Sequence, residues 1–249
     1  MPTDPPFSLR AFIESYRRVR LTEGLASPDP EFSRRLPFRD TTGRNVKLWR
    51  VRAIHYLTVR AFLAVFPGSE RVLDVGAGNG WLARRLARSH RVTALDVDAT
   101  ETGLRALGDD AGVGRVRAEV EALPLRDGSF DVVIVAASLH YAVELPRALA
   151  ELARVLRPGG ALVIADSPIY VDALARHRAW QRTLQYYRAA GAEQLAHRYR
   201  GLTRAELDGS RLFRFITLTP GIAPWRAALE AVRGREPSVR LPVVVGFKR

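Results

Sequence analysis

Apolar residues recur at helical spacing in two segments near the N-terminus, residues 8–20 and 45–66. A stretch with prolines at positions 28, 30 and 37 separates them, so we expect two or three N-terminal helices. From residue 71 the pattern changes to short β-branched runs that alternate with amphipathic segments: RVLDV, WLARRLA, RVTALDV, a polar segment expected to be helical, VRAEV, DVVIVA and ALVIAD. This alternation is typical of a parallel sheet covered by helices on both faces.

The clearest predicted helix lies between the last two of these strands. One face of it carries Leu145, Ala148, Leu149, Leu152, Val155 and Leu156. We expect the helix to stop at residues 157–160 (RPGG), because proline cannot continue it and glycine permits the chain to reverse. A long helical stretch is expected over residues 172–208, followed by strands near 211–217 and 241–247. The absence of repeats and flexible linkers favours one domain over 1–249: an N-terminal helical cap (1–66), a ligand-binding core (67–169), an inserted helical cap (170–210) and terminal strands (211–249).

Composition removes several classes of function. With no cysteine, the chain has no disulfide, thiolate metal site or cysteine nucleophile, and we expect no metal site. No stretch approaches the roughly 18 apolar residues of a membrane span, and the first ten residues lack the apolar run of a secretion signal, so we expect a cytoplasmic protein without membrane contact. The sequence does not indicate an oligomeric state.

The net charge of +13 is nearly all arginine, since Lys47 and Lys248 are the only lysines. The arginines are dispersed over polar helix faces, among them Arg17, Arg18, Arg34, Arg35, Arg84, Arg85 and Arg88. This favours a solvated surface over a nucleic-acid surface, and nucleic acid is an unexpected partner.

The most informative segment is VLDVGAGNGW, residues 72–81, where a predicted strand ends and a helix begins. Glycine there lets the backbone turn sharply and approach a ligand, although Gly76 and Gly78 also suit a simple tight turn. Asp96 closes the next strand, where it is well placed to accept hydrogen bonds from two ribose hydroxyls. These features predict an adenosine pocket. A dinucleotide site is disfavoured, because its third glycine would replace Trp81.

Four ordered blocks then resemble the class I S-adenosylmethionine-dependent methyltransferases, in particular the group that includes ubiquinone and menaquinone biosynthesis methyltransferases. They are VLDVGAGNGWLARRLA, TALDVD, AEVEALPLRDGSFDVVIVAASLHY and LPRALAELARVLRPGGALVIADS. The resemblance implies a Rossmann-like, doubly wound α/β sheet, mostly parallel, with capping helices. It also implies that the last strand, LPVVVGFKR, runs antiparallel between the fifth and sixth strands.

The resemblance implies the cofactor S-adenosylmethionine and a set of residues that hold it. Asp74 and the backbone of Gly76 would hold its amino-acid end, and Asp96 its ribose. Glu119 stands where the family usually has aspartate and would face the adenine amino group, with the Val120 amide beside it; a solvated carboxylate is the alternative for Glu119. The implied cofactor-binding set is Asp74, Gly76, Ala77, Gly78, Asp96, Val97, Glu119, Val120 and Ala136. Asp131 fits a structural role better than a catalytic one.

Methyl transfer from a sulfonium needs alignment and, for some acceptors, a base. His140 and Asp166 follow adjacent predicted strands, so we expect them at one sheet edge, where the carboxylate can orient the imidazole as a general base. A structural histidine is the alternative, and Tyr141 and Tyr170 are further candidates near the acceptor.

The acceptor expected from the sequence is the O, N or C atom of a small or medium-sized metabolite. C5 methylation of pyrimidines and arsenic methylation need cysteine, and AASLHY does not fit the adenine-amine pattern. Aromatic side chains that either line the pocket or pack are Trp180, Tyr186, Tyr187 and Tyr199. Two alternatives stay open: an RNA or protein methyltransferase that uses the basic surface, and a non-catalytic adenosine-binding protein.

Overall fold

The computed structural model describes residues 8–219 and 241–249. Three helices precede the sheet: α1 (Leu9–Glu23), α2 (Pro30–Arg35) and α3 (Val46–Val65). Side chains cap the first two, because Ser8 accepts from the Ala11 amide and Asp29 accepts from the Glu31 amide. The two N-terminal helices expected from apolar spacing are therefore present, with α2 in the proline-containing stretch between them.

The central part of the chain alternates strands and helices. In order, it forms β1 (Arg71–Val75), α4 (Trp81–Leu86), β2 (Arg91–Asp96), β3 (Gly114–Arg117), β4 (Phe130–Ala136), α5 (Leu145–Val155) and β5 (Leu156–Ala165). The later part forms β6 (Ile169–Tyr170), α6 (Ala173–Ala189), α7 (Gln194–Arg198), β7 (Leu202–Thr203), α8 (Arg204–Asp208), β8 (Phe213–Thr219) and β9 (Val243–Lys248).

Among the described residues, seven strands form one sheet in the order β3-β2-β1-β4-β5-β9-β8. Strands β1 to β5 are parallel to their neighbours, whereas β9 is antiparallel to both β5 and β8. The predicted doubly wound sheet is confirmed, and so is the antiparallel last strand between the fifth strand and its neighbour. The order reverses between β1 and β4, where a crevice opens at the carboxyl ends of the strands.

Both faces of the sheet are buried. Residues 130–135 of β4 are all buried, with Val133 on the side that packs against α5 and Ile134 on the side that packs against α3 and α4. At the opposite end of this strand, the Arg71 amide donates to the Asp131 carboxylate at 2.8 Å and the Arg157 guanidinium donates at 2.9 Å. Asp131 therefore joins three strands, which supports a structural role.

Three sequence expectations differ from the structure. The polar segment before β3 forms short 3₁₀ turns at Leu104–Leu107 and Asp109–Ala111 rather than a helix, because the chain is interrupted by glycines with positive φ at 108 and 112. Gly191 and Gly201, also at positive φ, divide the stretch 172–208 into α6, α7 and α8. The helix α5 ends at Val155, and β5 begins at Leu156 and includes the RPGG residues, where the pairing register with β4 shifts.

Within residues 8–219 and 241–249, no helix is both long enough and apolar enough to cross a membrane.

Candidate functional site

The loop after β1 is shaped by glycines at positive φ. The amides of Gly76 and Ala77 both donate to the Leu95 carbonyl of β2, at 2.7 and 3.0 Å, so the loop is tied to the neighbouring strand. A Cβ atom on Gly76 would lie 2.2 Å from the Cβ of Ser138. Glycine is therefore required at position 76 by close packing as well as by the turn.

Gly78 differs from its neighbours in the loop. Its φ is +54°, and a Cβ atom there would meet nothing within 4 Å, whereas a Cβ on Gly80 would lie 2.2 Å from Leu107. The Cα of Gly78 faces open space in the crevice. A side chain there would occupy room that a ligand can use, while Gly80 is a packing position.

Two aspartates stand beside this loop. Asp96 accepts from the Gly78 amide and from the Asp98 amide, both at 2.8 Å, so its carboxylate is held in one orientation. Asp74 is 1% exposed, and its Oδ2 has no hydrogen-bond partner. Burial and the neighbouring charge of Asp96 raise the pKa of Asp74 to about 7, and burial raises the pKa of Asp96 to about 6. A buried carboxylate oxygen without a partner is a place for a ligand's donor or cation.

A cavity of about 430 Å³ lies at this edge of the sheet. All eleven residues predicted for the site line it: Asp74, Gly76, Ala77, Gly78, Asp96, Val97, Glu119, Val120, Ala136, His140 and Asp166. The structure thus brings the predicted residues together around one space, and their individual roles stay predictions. We call the part formed by Asp74, Gly76, Gly78, Asp96 and Glu119 the glycine-loop end.

Another part of the cavity is formed by residues of α1 and α3, of the turn after β4 and of the position after β5. We call it the arginine end, and define it by Tyr16, Arg20, Arg52, His140, Tyr141 and Asp166. The Arg20 guanidinium donates to Glu23 at 2.6 Å and to the Tyr141 hydroxyl at 2.8 Å. Arg52 lies over the Trp49 ring, with its guanidinium carbon 4.6 Å from the ring centroid. Arg17 is partly exposed and also lines the cavity.

The predicted pairing of His140 with Asp166 is not what the structure shows. The carboxylate of Asp166 bonds instead to the Nδ1 of His55, at 2.7 Å, and the Nδ1 of His140 lies 3.3 Å from the Ser167 hydroxyl. His55 is in α3, 111 positions before Asp166, so no local spacing could reveal the pair. Asp166 lines the cavity and His55 lies behind it.

The environment of His140 opposes its protonation. Burial lowers the pKa of His140 to about 3, and the positive charges of Arg20 and Arg52 contribute to the shift. The imidazole is therefore neutral at pH 7 and a weak base.

Asp166 lies directly after β5 with a φ of +54°. Only a few non-glycine residues adopt this conformation, and it is found preferentially at functional sites.

Glu119 forms an ion pair with Arg198, with 3.3 Å between Oε2 and the guanidinium nitrogen. Arg198 belongs to α7 and lies over the Phe12 ring of α1, 4.8 Å from its centroid. Both charged residues line the cavity. Glu119 is therefore not a freely solvated carboxylate, and its partner comes from the inserted helical segment.

The four aromatic residues singled out in the sequence have different places. Tyr199 lines the cavity, whereas Trp180 donates its indole N–H to the Ala196 carbonyl at 3.0 Å and packs between helices. The Tyr187 hydroxyl lies 3.0 Å from that of Tyr141, and Tyr186 is about half exposed. Of the two fallback candidates, Tyr141 lines the cavity and Tyr170 lies behind Tyr199, with 3.4 Å between their hydroxyls.

Trp81 begins α4 and packs against the N-terminal helices. Its ring centroid lies 5.8 Å from that of Trp49 and 6.2 Å from that of Tyr56, both in α3. Trp81, which stands where a dinucleotide-binding motif has glycine, thus packs the helix α3 against the start of α4. The helical spacing of apolar residues in α3 was visible in the sequence, but the sequence does not indicate which of them face the site.

The central part of the chain is similar to known proteins. Residues 73–164 match the family model described as "Methyltransferase domain". The demethylmenaquinone methyltransferase of Clavibacter sepedonicus is 41% identical over 125 residues, which cover 49% of this chain and 48% of that protein. The chain thus spans about half the length of this curated relative.

Solved structures share the fold at low sequence identity. The YcgJ protein of Bacillus subtilis superposes with a TM-score of 0.59 and 18% identity, over 79% of this chain and 99% of that one. The phosphoethanolamine N-methyltransferase 2 of Haemonchus contortus, in complex with phosphomonomethylethanolamine and S-adenosylhomocysteine, gives a TM-score of 0.52 and 15% identity, over 78% and 52% of the two chains.

Proposed function

We propose that this protein, whose residues 73–164 match the methyltransferase-domain family model, is a class I S-adenosylmethionine-dependent methyltransferase. It would bind S-adenosylmethionine at the glycine-loop end and methylate an acceptor at the arginine end. The acceptor is the O, N or C atom of a small or medium-sized metabolite. The observation that carries this proposal is the buried, unpartnered Oδ2 of Asp74 beside the cavity.

The residues at the glycine-loop end fit this cofactor. Its ammonium group would supply the cation that Asp74 lacks, which removes the cost of a buried unpaired carboxylate. The open space at Gly78 leaves room for the methionine portion. Asp96 keeps lone pairs free beyond its two backbone bonds, and these would accept from the ribose hydroxyls.

The adenine would lie between Val97, Val120 and Ala136, where the Val120 amide can donate to the ring. Glu119 would then divide its carboxylate between the adenine amino group and Arg198, which lies 3.3 Å away. This shared contact would couple cofactor binding to the position of α7, which also carries part of the cavity wall.

When bound, the cofactor supplies an activated methyl group on a sulfonium. The protein's residues must align the acceptor with it and take up a proton where the acceptor loses one. Asp166 is the best-placed candidate for that proton, because it lines the cavity and His55 fixes its orientation. His140, neutral and buried, would then hydrogen-bond to the acceptor or shape the pocket rather than act as the main base.

The lining of the cavity supports a small acceptor. The walls of the cavity include Phe12, Tyr16, Trp49 and Tyr199, and apolar and aromatic walls are typical of metabolite sites. The cofactor would fill much of the 430 Å³. A cytoplasmic location remains the prediction made from the sequence.

Two measurements test the proposed function. Calorimetric titration with S-adenosylmethionine should show one site per chain, and a tritiated methyl group should then appear in the small-molecule fraction of a cell extract divided into nucleic acid, protein and small molecules. If the label appeared only in RNA or only in protein, the acceptor would be that macromolecule rather than a metabolite. Cofactor binding without transfer to any fraction would favour a non-catalytic adenosine-binding protein.

A further inference from the structure

The side chain of Arg52 lies in the cavity without the partners that a guanidinium normally has. Its Nε is shielded from solvent and makes no hydrogen bond, and among residues 8–219 and 241–249 its guanidinium has no ion pair or hydrogen bond. The guanidinium carbon lies over the Trp49 ring, 4.6 Å from its centroid. A guanidinium has five N–H donors, so this side chain has unused capacity to bind an anion.

The surrounding charges do not satisfy it. Burial lowers the pKa of Arg52, and the charge of Asp166 is the largest influence that opposes this lowering. That carboxylate bonds to His55 instead. The other buried cation, Arg20, is held by Glu23 and Tyr141. Arg20 and Arg52 therefore bring two positive charges to one end of the cavity, and only the first has a bonded carboxylate.

The position of Arg52 points toward the acceptor rather than the cofactor. Its positive charge contributes to the lowered pKa of His140, and the charge of Asp166 opposes the lowering of its own pKa; both residues belong to the arginine end. The carboxyl of Asp74, which would receive the cofactor's ammonium group, responds instead to Asp96. Arg52 thus belongs electrostatically to the arginine end.

We propose that the methyl acceptor carries an anionic group, a carboxylate or a phosphate, and that Arg52 binds this group while the apolar walls hold the rest of the molecule. This inference rests on the proposed function and narrows its substrate class. Arg52 is then a specificity residue: it pairs with the anion through planar N–H donors and places the acceptor atom near Asp166. An acceptor of this kind has a small apolar or aromatic body, because the walls include Tyr16 and Trp49.

The test uses the full chain loaded with S-adenosylhomocysteine and matched pairs of probes. Benzoate is compared with benzamide, and phenyl phosphate with phenol, by calorimetric titration. We expect the anionic member of at least one pair to bind roughly tenfold or more tightly than its neutral partner. The pair that discriminates more strongly tells a carboxylate acceptor from a phosphate acceptor.

Two variants locate the effect. Arg52→Gln should abolish the preference for the anion, whereas Arg50→Gln, on the exposed face of the same helix, should keep it. Arg52→Lys retains a charge and should keep part of the preference, which provides a second reading if the glutamine variant is unstable. Equal binding of charged and neutral probes by the wild type, or loss of preference in Arg50→Gln alone, would overturn the inference.

One further arm separates the acceptor from the cofactor's own carboxylate. If Arg52→Gln weakens S-adenosylhomocysteine but not 5′-methylthioadenosine, which lacks the amino-acid portion, Arg52 serves the cofactor and the inference is wrong. A wild-type protein that binds no S-adenosylhomocysteine would sink the proposed function. A wild-type protein that binds S-adenosylhomocysteine but binds charged and neutral probes equally would contradict this inference alone.

Discussion

The two ends of the cavity are assembled in different ways. The glycine-loop end comes from β1, β2 and β3 and the residues that follow them, and Asp74, Gly78 and Asp96 lie within 23 consecutive positions, residues 74–96. The arginine end combines residues from α1, α3, the loop after β4 and the end of β5. The glycine-loop end is acidic and tied to backbone amides, whereas the arginine end is basic and aromatic. This difference fits the proposed roles of the two ends. The cofactor is the same for every enzyme of this kind, whereas the acceptor varies from one enzyme to another.

The largest expected effect is at the glycine-loop end. Gly78→Val should weaken S-adenosylhomocysteine binding by roughly two orders of magnitude or more, because the side chain would enter ligand space at a backbone φ of +54°. Gly112→Val is the matched control: its φ is +60°, its Cβ also meets nothing within 4 Å, and it does not line the cavity. Equal losses of affinity in the two variants would show that backbone strain, rather than the ligand, explains the effect.

At the arginine end, turnover should change while cofactor affinity does not. Asp166→Asn should lower turnover by roughly 100-fold in single-turnover assays for an acceptor that loses a proton, because the variant cannot take it up. His140→Ala should cost less than about tenfold, because burial and the charges of Arg20 and Arg52 oppose a positive charge on the imidazole, whereas a carboxylate becomes neutral when it takes up a proton. A larger loss in His140→Ala than in Asp166→Asn would restore the histidine as the base.

The ribose contact gives an intermediate effect. Asp96→Ala should weaken cofactor binding by roughly 1 to 3 kcal/mol, because two hydroxyls lose a charged acceptor and the Gly78 amide loses its own. Asp127→Ala, which removes an exposed carboxylate paired with Arg154, should leave affinity unchanged. An unaltered dissociation constant in Asp96→Ala would contradict the placement of the adenosine.

The two ends should also differ in their response to pH. The unfolded chain protonates His140 near pH 6.5, whereas the folded chain does so only near pH 3. Its stabilising contribution is therefore complete above pH 6.5 and is lost as the pH falls toward 3, by about 1 to 2 kcal/mol between pH 7 and 5. Denaturant unfolding of wild type and His140→Gln across that range measures it; parallel pH profiles would argue against the buried neutral imidazole.

The smallest expected signal is proton release on cofactor binding. Asp74 has a raised pKa of about 7, so it is partly protonated near neutral pH, and an ammonium group beside it would lower that pKa. Binding at pH 6.5 should release up to about one proton, and affinity should rise with pH until Asp74 is ionised. Calorimetry in two buffers of different ionisation enthalpy detects the release, which Asp74→Asn should reduce. Equal proton release by the wild type and Asp74→Asn would contradict the contact between Asp74 and the cofactor's ammonium group.

The same division explains what the sequence could predict. The doubly wound sheet and the residues of the glycine-loop end were predicted from motifs in the sequence. Asp74, Gly76, Gly78 and Asp96 lie close together along the chain, and Glu119 follows the next strand. The arginine end required long-range contacts: Asp166 pairs with His55, and Arg20 reaches Tyr141 from 121 positions away. Arginines on amphipathic helices resemble solvated residues in a sequence, and only the packing of α1 and α3 over the crevice turns Arg17, Arg20 and Arg52 inward.

The most direct test of the account is an experimental structure of the protein with S-adenosylhomocysteine bound. The amino group should lie within hydrogen-bond distance of the Asp74 Oδ2, the ribose hydroxyls against Asp96, and the sulfur should face the arginine end near Asp166. A complex in which the Asp74 oxygen still lacks a partner, or in which the sulfur points away from the arginine end, would contradict it.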